Sequence, residues 1–223
     1  MIPGTVVLLG SPLLAPGSWG NLPGALEQAD PAIDVLDVPV ADDEKPPFGQ
    51  RYLTSVVLAA TAVRPRAPLA LVAHSGAGPL IPGIGRGLRD AGHRIGAYVF
   101  LDAALPGLGP PKRLELLRLE GPDSLANVEI ALEFSGGFPD WELPGVVTRP
   151  RPRVFFEEPL PTSDDWPDAP CGYRQTSSAY DGVARKAMAR GWPVLRSGTD
   201  HHLPSLAGPT SVAADLLAVI DRL

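Results

Sequence analysis

A serine set among small residues, directly after an apolar run, constrains the fold of this chain more than any other feature. The run PLALV at residues 68–72 leads into AHSGAG at residues 73–78, with Ser75 in its centre. Small residues two positions before and after a serine permit a sharp turn from a strand into a helix, and such a turn lifts the hydroxyl above the end of a sheet. The usual pattern has glycine at both positions, whereas this chain has Ala73 and Ala77. Because an apolar strand precedes it, the pattern predicts a nucleophile elbow at Ser75.

Short apolar runs recur along the 223 residues, separated by helical or Pro/Gly-rich stretches. This alternation predicts an α/β fold with a mostly parallel sheet of about six strands flanked by helices, and the length fits a single domain over residues 1–223. Apolar positions at helical spacing predict helices at Tyr52–Val63 and Ser211–Leu223. The strands are predicted at Thr5–Leu9, Ile33–Val38, Leu69–Ala73, Ala97–Leu101, Gly172–Ser177 and Pro193–Arg196.

The segment between the fourth and fifth predicted strands departs from this alternation. From about residue 105 to residue 168 it contains a leucine-rich stretch at 114–119, several aromatic residues and a proline-rich run at 144–161. We expect this segment to form a small cap insertion over the carboxyl edge of the sheet.

Residues 78–83, with the sequence GPLIPG, are poor helix formers although a helix should follow the turn. Pro79 falls in the first turn, where its missing amide costs nothing, but Pro82 would remove an interior hydrogen bond. We therefore expect a short or kinked helix at this point.

The charge balance and the cysteine count narrow the class of protein. A net charge of -6 and a pI near 5.2 disfavour nucleic acid and anionic membranes as partners. No Lys or Arg precedes Lys45, which predicts no secretory signal, and no apolar run approaches membrane-spanning length. The one cysteine, Cys171, allows no internal disulfide and shows no metal-site spacing. We expect a cytoplasmic protein that acts on a small molecule without metal or cofactor, and a homodimer is left open.

A serine hydroxyl needs a base to take its proton, and the base needs a third group to orient it. The chain has four histidines. His74 lies within the turn itself, and His93 precedes the strand at Ala97, at what should be the far end of the sheet. His201 and His202 follow the last predicted strand, where the chain order serine, acid, histidine places the base.

Four segments resemble the α/β-hydrolase superfamily, and together they cover most of the chain. They are residues 6–10 with Trp19, the Ser75 elbow, residues 98–102 and residues 202–209. The usual first two strands of the family are missing, which implies a version of the fold that is trimmed at its N-terminus.

The last of these segments resembles the terminal histidine segment of the family, in which a proline follows the base by about seven residues. Because Pro209 stands in that place, the resemblance implies His202 as the base. Asp200 and His201 look like an Asp-His pair that some plant-esterase relatives carry here, so His201 remains the alternative.

Two aspartates compete for the acid that orients the base. In the family the acid usually follows the penultimate strand, and that position corresponds to Asp181, which comes after residues 171–178. Some relatives carry the acid at the end of the preceding strand, which corresponds to Asp102. We prefer Asp181 and keep Asp102 as the alternative.

The loop after the first strand departs from the family pattern. Esterases of this fold hold the oxyanion with two backbone amides, one of them from the residue after the nucleophile, here Gly76. The other comes from a triplet that aligns with residues 10–12, but Pro12 has no amide hydrogen. We expect the amide of Leu13 to be the second donor, with Ser11 as the alternative, unless the site has one amide only.

The resemblance implies a serine hydrolase that cleaves an ester, thioester or lactone of a largely apolar small molecule through an acyl-enzyme. Pro12 and the unusual cap favour one alternative, a non-hydrolytic enzyme of this fold, such as a cyclase, lyase or acyl transferase in a biosynthetic pathway. An inactive binding protein is a further alternative, and the intact set of serine, acid and histidine argues against it. The aromatic candidates for lining the substrate pocket are Trp19, Phe134, Phe138, Trp141 and Tyr180.

Overall fold

One sheet of six parallel strands organises the chain, which the computed structural model describes at residues 2–40, 43–107, 109–120, 122–142, 145–196 and 200–223. The strands are β1 Thr5–Leu9, β2 Asp34–Asp37, β3 Leu69–His74, β4 Ile95–Leu101, β5 Cys171–Gln175 and β6 Val194–Arg196. They lie in the order β2-β1-β3-β4-β5-β6, and each neighbouring pair is parallel. The predicted α/β fold with a parallel sheet is confirmed, and the strand ends differ from the prediction by one or two residues.

The strand order creates a switch point between β1 and β3. The chain runs from β1 to β2 on one side, and then returns to pair β3 with the other side of β1. In open α/β sheets, ligands bind outside the carboxyl ends of the strands at such a point. The loop after β1 and the turn after β3 therefore both begin where a site is expected.

Helices cover both faces of the sheet. Those formed by the described residues are α1 Leu22–Ala29, α2 Phe48–Val63, α3 Ile81–Asp90, α4 Arg113–Glu120, α5 Pro122–Phe134, α6 Arg153–Glu157, α7 Asp181–Ala189 and α8 Pro209–Ile220. Val7 and Leu9 of β1 belong to the apolar cluster that includes residues of α2, α3 and α7, whereas Val6 and Leu8 belong to the cluster that includes residues of α1 and α8. A parallel strand that is buried on both faces needs apolar residues at every position, which is why β1 reads as a continuous apolar run. The two predicted helices correspond to α2 and α8, with shifted ends.

The chain after Ser75 accommodates its two prolines by changing helix type. A 3₁₀ turn, Ser75–Leu80, contains Pro79, and α3 begins only at Ile81. Pro82 then occupies the first turn of α3, where its missing amide breaks no interior hydrogen bond. The interruption that the prolines predict is therefore present, and it lies at the junction of the 3₁₀ turn with α3.

Residues 105–168, here called the cap segment, carry α4, α5 and α6 between β4 and β5. Phe155 and Phe156 of α6 pack against Val128 and Leu132 of α5 and against Phe48 at the start of α2. This small apolar cluster is separate from the two clusters on the sheet faces, and it attaches the cap segment to the edge of the sheet.

A buried arginine joins the cap segment to the loop after β1. Arg151 donates from Nε to the carbonyl oxygen of Pro12 at 2.9 Å, and from Nη1 and Nη2 to the carbonyl and carboxylate oxygens of Asp43 at 2.8 and 2.7 Å. Both side chains are almost fully buried, and removing one partner of such a pair costs about 3–5 kcal/mol. The position of Pro12 is therefore tied to the cap segment.

Candidate active site

Ser75 lies at the carboxyl end of β3, on a backbone turn with a φ of 54°. A positive φ is unfavourable for a residue that carries a Cβ, and it marks the strained turn expected from the small neighbours. The turn is tightly packed, since a Cβ at Gly78 would overlap the carbonyl oxygen of Ala104. The turn places the Ser75 hydroxyl at the switch-point edge of the sheet.

The imidazole of His202 lies beside the serine, with Nε2 3.1 Å from Oγ of Ser75. His202 belongs to the loop between β6 and α8, and two rings contact it. Tyr180 stacks on it at a centroid distance of 4.9 Å, and the ring of His74 lies at 4.7 Å. The structure thus brings His202 to Ser75, whereas His201, the alternative base, is exposed on the same loop.

His74 supports the backbone of His202, a contact between residues 128 positions apart in the chain. Burial, with a smaller contribution from His202, holds the pKa of His74 well below its usual range, so its ring is neutral at pH 7. The neutral ring donates from Nε2 to the carbonyl oxygen of His202 at 3.0 Å. The sequence places His74 in the turn but contains no local signal for this contact.

The carboxylate of Asp102 faces the other nitrogen of the His202 ring, with Oδ2 3.5 Å from Nδ1. That nitrogen is buried and has no hydrogen-bond partner among the described residues, so Asp102 is the group that faces it. Asp102 follows β4 directly and is fully buried. It accepts hydrogen bonds from the amides of Thr176 and Ser177 at 2.8 and 2.9 Å and from the Thr176 hydroxyl, and these donors hold the carboxylate in place.

Asp181, the acid preferred from the sequence, does not lie at the imidazole. It begins α7, its side chain is 46% exposed, and it pairs with Arg196 at 3.0 Å. After β5 the chain makes a 3₁₀ turn at Ser178–Tyr180, and this turn carries Asp181 to the surface. Asp102 has no such spacer, because it directly follows the strand that pairs with β3. On this geometry the preference for Asp181 is corrected to the alternative, Asp102.

The loop after β1 runs beside the turn that carries Ser75. Ser11 Oγ and the Pro12 ring lie 3.4 and 3.5 Å from the point that a Cβ on Gly76 would occupy. The Leu13 amide, which the sequence analysis expects to be the second oxyanion donor, donates instead to Ser11 Oγ at 3.3 Å. The structure therefore places the side chain of Ser11 next to Gly76, with the Leu13 amide bonded to it.

A cavity of about 600 Å³ opens over Ser75 and His202. Its walls are mostly apolar and come from the cap segment, from the loop after β1 and from the start of α7. Three of the predicted lining residues, Phe138, Trp141 and Tyr180, belong to these walls. A space of this size and polarity suits a small, largely apolar ligand.

Two of the predicted lining residues lie elsewhere. Trp19 is buried in the core beside α1 and α8, and its ring lies 5.5 Å from that of His74. Phe134 is the last residue of α5 and is 79% exposed. The prediction is wrong for both residues because tertiary packing decides where an aromatic side chain lies. A single aromatic residue in a sequence does not reveal that packing.

The serine, the buried aspartate and the histidine occupy the turn after β3, the end of β4 and the loop after β6, all at the carboxyl edge of a parallel sheet. This strand order, the turn and the chain order of the three side chains define the α/β-hydrolase fold.

Solved structures agree with this assignment of the fold. An extracellular α/β-hydrolase from a Paenibacillus species superposes with a TM-score of 0.74 at 16% identity, over 97% of this chain and 99% of that one. That protein is described as sharing structural and functional homology with tobacco salicylic acid binding protein 2.

Two further structures are a synthase and a second hydrolase. Tomato methylketone synthase I, complexed with 2-tridecanone, superposes with a TM-score of 0.68 at 12% identity, over 100% of this chain and 99% of that one. A pyrethroid hydrolase from Sphingobium faniae gives 0.58 at 17% identity, over 97% of each chain. At these identities the likeness shows the fold alone. No protein-family model matches the chain, and the search of curated protein sequences also gave no match.

Three observations bear on other kinds of function. No helix within the described ranges is both long and apolar enough to cross a membrane. Across the same ranges, no cluster of three or more His, Cys, Asp or Glu side chains is arranged to hold a metal ion. Burial raises the pKa of the Cys171 thiol to about 12, so this cysteine is not a thiolate at neutral pH.

Replacing His74 with glutamine tests its buried, neutral state. Glutamine keeps an amide donor for the His202 carbonyl but does not titrate. An unfolded histidine has a pKa of about 6.5. Below that pH His74 therefore binds a proton in the unfolded wild-type chain but stays neutral in the folded protein. We expect the unfolding free energy of wild type, relative to His74→Gln, to fall by up to about 1.4 kcal/mol per pH unit as the pH drops below about 6.5. Urea unfolding at several pH values measures this difference, and a difference that does not change with pH would contradict the assignment.

Proposed function

We propose that this protein is a serine-dependent hydrolase that cleaves an ester, thioester or lactone of a largely apolar small molecule through an acyl-enzyme. The observation that carries the proposal is the 3.1 Å contact between Ser75 Oγ and His202 Nε2, on a strained turn that opens into an apolar cavity. A serine hydroxyl becomes a nucleophile when a base within hydrogen-bond reach takes its proton. The likeness to solved hydrolases supports an enzyme of this fold.

In the first half of the proposed reaction, Ser75 Oγ attacks the carbonyl carbon of the substrate, and the hydroxyl proton passes to His202 Nε2. His202 then gives this proton to the leaving oxygen or sulfur, so the carbon–oxygen or carbon–sulfur bond breaks and an alcohol or thiol forms. The acyl group stays on Ser75 as an ester. A water molecule, deprotonated by the same imidazole, releases the carboxylic acid and restores the serine.

Asp102 is proposed as the acid that orients the base. Its carboxylate faces Nδ1 of His202 at 3.5 Å, which favours the tautomer that carries its proton on Nδ1 and leaves Nε2 free to accept. Such contacts are often long before substrate binds and shorten in the complex. The carboxylate also stabilises the imidazolium that forms during attack.

The oxyanion donors are assigned to the amide of Gly76 and the hydroxyl of Ser11. Pro12 has no amide hydrogen, and the Leu13 amide donates to Ser11 Oγ. An oxygen that accepts this bond still has its own proton to give to a further acceptor. Because Ser11 lines the cavity beside Gly76, that proton can reach the negative charge that develops on the substrate oxygen.

A second candidate is a non-hydrolytic enzyme of the same fold, such as a lyase or a cyclase. The observation in its favour is Pro12, since the loop lacks an amide that esterases of this fold use. The superposition on a methylketone synthase is consistent with other chemistry on this scaffold. Of these candidates, only the hydrolase forms an acyl-enzyme that water then cleaves.

Rapid mixing with p-nitrophenyl butyrate tests the hydrolase proposal. We expect a stoichiometric burst of p-nitrophenol and a butyryl adduct on Ser75 in the quenched protein, because p-nitrophenolate leaves readily and makes acylation faster than the attack by water. Ser75→Ala should lose both, whereas Ser211→Ala, which changes an exposed serine on α8, should keep both. Intact-mass spectrometry locates the adduct. Absence of burst and adduct across a panel of acyl chain lengths would favour the lyase or cyclase.

Exchanging each aspartate for asparagine separates the two acids. Asp102→Asn should lower kcat/KM roughly 10³- to 10⁴-fold, because an amide holds the imidazole in the wrong tautomer. Asp181→Asn should change it little, because Asp181 pairs with Arg196 at the surface. Ester hydrolysis, with circular dichroism as the check on folding, measures both. The opposite ranking would restore Asp181 as the acid.

The oxyanion assignment has its own test. Ser11→Ala should lower kcat about 100- to 1,000-fold with little change in KM, since the lost bond forms only as charge develops. Pro12→Ala restores an amide at position 12, and the bond from Arg151 to that carbonyl should keep the loop on its course. Added to Ser11→Ala, it should therefore recover part of the lost rate. If Ser11→Ala has the kcat of wild type, the second donor lies elsewhere.

A further inference from the structure

A second buried arginine, Arg113, forms part of the cavity wall. It begins α4, and its guanidinium lies 4.4 Å from the centre of the Phe155 ring. Its Nη1 donates to the carbonyl oxygen of Gly76 at 2.7 Å. Because Gly76 follows Ser75, this positive charge is bonded to the residue next to the proposed nucleophile.

Most of the hydrogen-bonding capacity of Arg113 is unused. Within the described part of the chain, Nε and Nη2 are buried and have no hydrogen-bond partner. These two nitrogens share one edge of the planar guanidinium, and such an edge binds a carboxylate through two parallel hydrogen bonds. The equally buried Arg151 is different, since all three of its nitrogens have oxygen acceptors.

None of the ion pairs between described residues includes Arg113. The strongest opposing charge is that of Glu158, whose two carboxylate oxygens already accept the amides of Phe48 and Gly49 at 2.9 and 2.6 Å. Burial lowers the pKa of Arg113 to about 10, so the side chain is still protonated at pH 7. Of the described residues that line the cavity, Arg113 is the only Lys or Arg.

We propose that the cavity takes a substrate with a free carboxylate, which pairs with Nε and Nη2 of Arg113. This inference rests on the proposed hydrolase function and narrows its substrate class to esters or thioesters of amphipathic acids, such as the half-esters of dicarboxylic acids. The apolar part of the molecule lies along Leu116, Leu117 and Phe156, and the carboxylate lies at the arginine. A buried cation without an ion-pair partner is costly, and an anionic ligand supplies the negative charge.

Binding to the Ser75→Ala protein tests the carboxylate site without any chemistry. Octanoate and octanamide have the same shape and differ in charge, and calorimetric titration gives their affinities. We expect octanoate to bind about 10- to 100-fold more tightly, the effect of hydrogen bonds to a charged group. Arg113→Gln should remove this difference, and Arg113→Lys should keep only part of it, because lysine has the charge without the planar fork. Equal affinity in the protein that retains Arg113 would overturn the proposal, whether or not the arginine variants fold.

The rate of ester hydrolysis is the second test of the carboxylate site. We expect kcat/KM for p-nitrophenyl hemisuberate to exceed that for p-nitrophenyl octanoate about tenfold or more, and the ratio to fall toward unity in Arg113→Gln. If neither ester acylates Ser75 but octanoate still binds through Arg113, the hydrolase proposal fails and the carboxylate site stands. If the neutral ester gives a normal burst and is preferred, the carboxylate site fails and the hydrolase stands.

Discussion

The positive φ at Ser75 can be held only where the surrounding structure leaves the chain no other course. Every residue of β3 is buried, and the strand is paired on both sides, by β1 and by β4, so it cannot shift to relieve the turn. On the other side of the turn, Gly78 packs against the carbonyl of Ala104, on the chain that leaves β4. The centre of the sheet therefore supports the strain. As a result the serine hydroxyl is held at the edge where the loop after β6 delivers His202.

Two arginines of the cap segment hold the backbone beside the proposed oxyanion site. Arg151 holds the carbonyl of Pro12, and Arg113 holds the carbonyl of Gly76. Both sides of the proposed oxyanion site are thus bonded to arginines of one insertion. The two arginines differ in how many of their side-chain nitrogens have a hydrogen-bond acceptor. Arg151 completes a buried ion pair with Asp43, whereas the buried Nε and Nη2 of Arg113 have no hydrogen-bond partner among the described residues.

The sequence was sufficient for the features that depend on local pattern. The apolar runs located the strands, and the small residues around Ser75 located the turn, because the sterics of both are local. The resemblance of residues 202–209 to the terminal histidine segment of the α/β-hydrolase superfamily implies His202, and this histidine lies beside the serine. The strands and the turn are set by residues within a few positions of one another.

The sequence was insufficient where a residue's place depends on distant packing. Asp102 and Asp181 both follow strands, and only the 3₁₀ turn before Asp181 carries that carboxylate away from the imidazole. The sequence predicts the Leu13 amide as the second oxyanion donor, but in the structure this amide donates to the side chain of Ser11. Trp19 shows the same limit, since nothing near it in the sequence distinguishes a place in the core from a place in the pocket wall.

The most direct measurement of the central claim is the intact mass of the folded protein after exposure to a fluorophosphonate, a reagent that labels a serine activated by a base. We expect stoichiometric labelling on Ser75, none in Ser75→Ala, much slower labelling in His202→Ala, and unchanged labelling in the matched control His201→Ala. Wild-type protein that stays unlabelled, or His202→Ala labelled at the wild-type rate, would contradict a Ser75 activated by His202.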